Sequence, residues 1–176
     1  MRTLPFFTYN EIPAGNLQNY ENDYDFMICA SADFAFNDRY GEYFNKRYGL
    51  RERLVNSYGE VAWKDKGFCL RLPHAFILIV DPFDVKEMNL DRLREALSDA
   101  RDKGLSKVFI PRWEQPPAWN KFKDVLMNTI DGDIEMLVVY AVEDDGILII
   151  MDPDLEKQNF GKDRKSIDGN TLKKYY

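Results

Sequence analysis

Four short apolar runs alternate with segments whose apolar residues recur at helical spacing. The runs are residues 26–30, 75–80, 108–110 and, interrupted only by Glu135, the strand-like segment 134–142. A strand that is apolar at every position must be buried on both of its faces. Strands separated by helix-length segments pair in parallel through crossovers. The alternation therefore predicts an α/β fold with a mixed, largely parallel central sheet between two helical layers. A length of 176 residues suits one such domain.

The remaining elements follow from local chemistry. Residues 4–9 read as an edge strand, and residues 40–57 as one or two helical pieces broken near Gly49. Residues 61–63 and 68–72 read as strands flanking a tight turn at 64–67. Asn89 is a fitting N-cap for a helix whose buried face would be Leu90, Leu93, Leu97 and Ala100, with Gly104 ending it. Pro116 and Pro117 suit a helix's first turn, followed at helical spacing by Trp119, Phe122, Val125, Leu126 and Ile130. Residues 143–146 read as a hairpin turn into a strand at 147–151. His74, after Pro73, falls at a turn between two strands.

Composition removes several functions. The formal charge of −6 opposes broad nucleic-acid binding. No apolar run approaches the length needed to cross a bilayer, and the N-terminus lacks a signal-peptide core. Cys29 and Cys69 both sit inside apolar strand-like runs and read as reduced core thiols, which fits a cytoplasmic location. With one histidine and two buried cysteines, neither a zinc site nor a histidine-based catalytic set is expected. No cofactor or metal is predicted. Residues 152–156 read as a solvated turn rather than a calcium loop.

The segment after residues 26–30 is the main candidate site. Loops at the carboxyl ends of parallel strands are where α/β proteins place ligands. This loop carries Ser31, Asp33, Asn37, Arg39 and Gly41. Asp33 can accept from a ribose or serve as a general base, and Arg39 can grip a phosphate. Arg112, directly after the run at 108–110, would point to the same rim. Asp81 ends the run at 75–80 and is a second candidate acid–base group, with Asp84 close by. Tyr140, near the end of its strand, can border a base.

The order of these pieces resembles the macro domain, the ADP-ribose-binding α/β fold, and is most similar to the terminal ADP-ribose protein glycohydrolase-like branch. Four stretches carry the resemblance: "AGNLQN", "FMICASADFAFNDRYGEYFNKRYG", "VFIPRWEQPPAWNKFKDVL" and "IEMLVVYA". It implies a macro-like three-layer domain over residues 1–152 and a polar extension at 153–176. It also implies that the segments after Ala30 and Arg112 reach one rim and leave a pocket between them. Asn16 then stands at the family's adenine-contacting aspartate. Several of the family's loop glycines are replaced by side chains, and its catalytic lysine has no counterpart near Val80-Asp81-Pro82-Phe83.

The expected function is binding of ADP-ribose, another NAD-derived nucleotide or ADP-ribosylated macromolecules. If the chain hydrolyses an ADP-ribosyl bond, Asp33 or Asp81 would activate the water. The alternative is an inactive macro-like scaffold that binds another protein through Tyr40, Trp113 and Trp119.

Overall fold

A computed structural model describes residues 7–36, 39–81, 83, 89–113 and 116–151. The expectations for Asn37, Asp84 and residues 152–176 lie outside these residues, as does the start of the first strand at 4–6.

The chain forms a mixed, mostly parallel six-stranded sheet with helices on both faces. Its strands are β1 (Phe7–Ile12), β3 (Asp25–Ala30), β4 (Phe68–Leu72), β5 (Ala75–Ile79), β6 (Lys107–Pro111) and β7 (Ile134–Val139). The spatial order is β1-β7-β6-β3-β5-β4, and β4 alone is antiparallel to its neighbour. A small sheet joins β2 (Gly15–Asn16), β8 (Ala141–Asp144) and β9 (Ile147–Ile150).

The helices are α1 (Leu17–Asp23), α2 (Arg39–Tyr48), α3 (Leu50–Tyr58), α4 (Leu90–Asp102) and α5 (Pro116–Thr129). On β3, Phe26, Ile28 and Ala30 face α1, α2 and α3, while Met27 and Cys29 face α4 and α5. β5 divides in the same way, with Ala75, Ile77 and Ile79 on one side and Phe76, Leu78 and Val80 on the other. Burial on both faces is why these strands read as unbroken apolar runs. The crossovers from β1 to β3 and from β3 toward β5 use one face; those from β5 to β6 and from β6 to β7 return on the other. Right-handed crossovers travel in opposite directions on opposite faces of a sheet.

Local signals held where the chemistry is short-range. Gly49 takes a left-handed conformation (φ 59°) and separates α2 from α3. Asn89 Oδ1 accepts from the amides of Asp91 and Arg92, and Gly104 follows α4 at φ 94°. Asp145 and Gly146, both at positive φ, make the two-residue turn between β8 and β9.

Several expectations fail for tertiary reasons. Residues 61–63 form no strand; Val61 and Trp63 are exposed, and the Ala62 amide donates instead to Ala32 O (2.9 Å). β4 pairs with antiparallel β5 and ends the sheet, and the expected hairpin about 64–67 does not form. The face of α4 is Leu93, Ala96, Leu97 and Ala100, with Leu90 left exposed before the helix reaches the sheet. The run at 134–142 breaks at Tyr140, whose amide donates to Ile12 O while its carbonyl accepts from Met151. Tyr40, Trp113 and Trp119, expected on the surface, are core residues, each at most 5% exposed. Trp113, Trp119 and Phe122 form one aromatic cluster under α5.

Candidate functional site

β3 and β6 are parallel neighbours, so the segment after Ala30 and the segment starting at Arg112 leave from one rim of the sheet. The chain after β3 continues to helices on one face, and the chains after β5 and β6 continue to helices on the other. This divergence is the topological switch point at which open α/β sheets hold ligands. Below the rim the layers are packed. A cavity of about 10 Å³ remains beside Cys29, Ile110, Trp113 and Phe122, about one water in size.

The loop after β3 is a closed turn. Ser31 donates its amide to Ala35 O (3.0 Å) and its hydroxyl to the same carbonyl (3.2 Å). Phe34 sits at φ 62° with its side chain fully buried, and Phe36 is buried beside it. Asp33 is exposed, and its Oδ1 accepts from the Ala35 amide (3.3 Å). Asp81 reaches across from the end of β5; its Oδ1 accepts from the Ala32 amide (3.0 Å), and its carbonyl accepts from Arg92. Asp33 and Asp81 thus belong to one loop assembly, with Asp33 facing solvent.

Gly41 lies in the first turn of α2, buried against Phe36; a Cβ there would stand 3.2 Å from the Phe36 Cβ. Arg39 opens α2, donates to the Tyr40 hydroxyl (3.0 Å) and lies over its ring. Tyr40 in turn donates to Ile150 O (2.7 Å), and Tyr43 donates to Asp144. The β8–β9 hairpin is thereby tied to the helix that follows the loop.

Asn16 caps α1, its Oδ1 accepting from the Gln18 amide (2.9 Å), and is exposed. Arg112 is buried. Its amide donates to Val139 O (2.9 Å), its Nη1 donates to Trp113 O (3.3 Å), and its guanidinium lies 5.2 Å from the centre of the Tyr140 ring. Arg112 and Tyr140 are therefore brought together.

Glu11, which the sequence did not single out, joins this group. Its carboxylate accepts from Tyr9 (2.8 Å) and from Tyr140 (2.9 Å) and pairs with Lys123 (3.6 Å). Burial pushes the Glu11 carboxyl up, but the two phenol hydrogen bonds and the charges of Lys123 and Arg112 outweigh it, and the net shift is downward. Burial and the bond to Glu11 push the Tyr9 phenol upward. The available signal was the alternation of Tyr9 and Glu11 on one strand face, but the adjacency of Tyr140 depends on the pairing of β1 with β7.

Among the described residues no group of three or more His, Cys, Asp or Glu side chains is placed to hold a metal ion, and no helix is long and apolar enough to cross a membrane. Cys29 and Cys69 are both buried and are not joined in a disulfide.

The fold defines this chain as a three-layer α/β/α protein with a mixed, mostly parallel six-stranded sheet. Its sequence matches no known protein-family model and no curated protein.

Proposed function

We propose that this chain is a divergent macro-like protein that binds ADP-ribose, another NAD-derived nucleotide or an ADP-ribosylated macromolecule at the carboxyl rim of its sheet. The adjacency of β3 and β6 carries the reading, because their onward chains diverge to opposite faces there. Arg112 would supply the cation for phosphate, and Tyr140 would border the base. Asn16 Oδ1 already caps α1, so recognition of a base would fall to its side-chain amide. Ser31, Arg39 and Gly41 would shape the phosphate side of the site. Any hydrolysis would fall to Asp33, because the Asp81 carboxylate is braced against the Ala32 amide.

Calorimetric titration with ADP-ribose, NAD and AMP tests this reading. Saturable binding of ADP-ribose, weakened about tenfold or more in Arg112→Ala and Asp33→Ala, is expected. Absence of binding at millimolar ligand would end it.

A second reading, an inactive scaffold that binds another protein, is favoured by one observation. Tyr58, the last residue of α3, and Val61 and Trp63 just beyond it are exposed large side chains close together in sequence. This reading would appear as nucleotide-blind behaviour with a stable dimer or partner complex, lost in Trp63→Ser.

A further inference from the structure

A second concave site lies at the opposite end of the sheet, where β3 begins and the β4–β5 turn ends. There the Phe26 amide donates to His74 O (3.0 Å). The groove encloses about 350 Å³, a volume typical of small-molecule sites. One side is aromatic. Phe26 is buried and stacks on Tyr48 with ring centres 4.8 Å apart, and Tyr24 lines the same groove.

The other side is cationic, in a chain whose overall charge is −6. Its arginines are not equivalent. Arg47 pairs with Glu21 and Asp144, at 3.3 Å each. Arg53 is oriented by a bond from its Nη2 to Pro73 O (3.0 Å), and among the described residues no carboxylate lies within ion-pair distance of it. Glu21, the carboxylate of the groove, is already engaged by Arg47 and by the Tyr48 hydroxyl. A cationic ligand would therefore compete with existing partners, whereas an anion finds an oriented guanidinium.

We propose that this groove binds a planar aromatic group carrying one carboxylate or phosphate, with the ring against Tyr24 and Tyr48 and the anion on Arg53. The site is separate from the carboxyl rim and does not depend on the nucleotide reading.

Amide chemical-shift titration of the full chain tests it with three probes: 4-hydroxyphenylacetate, AMP and inorganic phosphate. Saturable shifts at Phe26 and His74 are expected with at least one ring-bearing anion. The stronger of the two reveals whether carboxylate or phosphate is preferred. AMP bound at the rim would instead move Ala32 and Arg112, so failure of one site is distinguishable from failure of the other. Arg53→Ala should weaken binding in the groove about tenfold, with partial recovery in Arg53→Lys. If Arg53→Ala does not fold, Arg53→Gln serves in its place. The proposal is overturned if no probe saturates at millimolar concentration. It is equally overturned if inorganic phosphate binds as tightly as the ring-bearing anions, or if binding survives loss of the guanidinium unchanged.

Discussion

The Asp81 carboxylate accepts the backbone amide of Ala32 at 3.0 Å, joining the end of β5 to the loop that follows β3. Two strands that are already paired are thus fastened a second time, above the sheet, by a side chain. The amide belongs to a residue only 4% exposed, so it has no ready substitute in water. Asp81→Ala should lower stability by about 1–3 kcal/mol, the cost of leaving such a donor unpaired. Asp81→Asn retains an acceptor oxygen and should cost less. Urea unfolding of both variants measures the difference, and equal losses would contradict the bracing role.

Gly67 and Gly104 should respond differently to the same substitution. A Cβ on Gly67 would fall 1.7 Å from the carbonyl oxygen of Arg92, a backbone atom of α4. Gly67→Ala must displace that helix, and a loss of about 2 kcal/mol or more is expected. Gly104 faces open space but holds φ 94°, so Gly104→Ala meets backbone strain alone, about 1–2 kcal/mol. Thermal unfolding of the pair should rank them in that order.

Stability should fall at alkaline pH. Burial, followed by the hydrogen bond to Glu135, pushes the Tyr24 phenol up to about 12. The same two causes, with Glu11 as acceptor, push Tyr9 upward. A raised folded-state value means that the stabilisation is complete below the ordinary tyrosine value near 10. It is lost as pH climbs from there through the folded-state value. Tyr24→Phe should flatten the Tyr24 part of this loss, seen as a shallower decline of melting temperature between about pH 10 and 12.

Glu11 predicts the acid counterpart. Its folded-state value is lowered, so its contribution is present above the ordinary glutamate value and disappears as pH falls through the folded-state one. Glu11→Gln should reduce the acid slope of stability. An unchanged slope would mean that the Tyr9–Glu11–Tyr140 group holds no more tightly folded than unfolded.

Neither cysteine should react in the native protein. Cys69 is fully buried, and burial pushes its thiol up to about 12 despite nearby Lys103. Cys29 is 4% exposed. A thiol reagent at mildly alkaline pH should find no fast-reacting group until denaturant is added, when both should titrate. A rapid native-state reaction would contradict the packing of β3 and β4.

Readable elements were those whose signal lies within a few residues. Asn89 caps its helix because its side chain reaches amides two and three positions ahead. Gly49 breaks a helix because it alone tolerates the left-handed turn required there. The doubly buried runs of β3 and β5 announced themselves by lacking any polar alternation. The sequence also placed Arg112 and the loop after Ala30 at one rim, since parallel strands share a direction.

What the sequence alone determined, then, was most of the strands and helices and their mostly parallel pairing, though not β2 or α1, because periodicity and caps are local physics. Tertiary structure alone decided which side chains meet. Trp113 and Trp119 are in the core because α5 packs across β6 and β7, residues 61–63 leave the edge of β4 unextended because the Ala62 amide bonds Ala32 O in the loop after β3, and Glu11 finds Tyr140 because β1 docks on β7. Those contacts join residues far apart in the chain, and nothing in a short window encodes the partner.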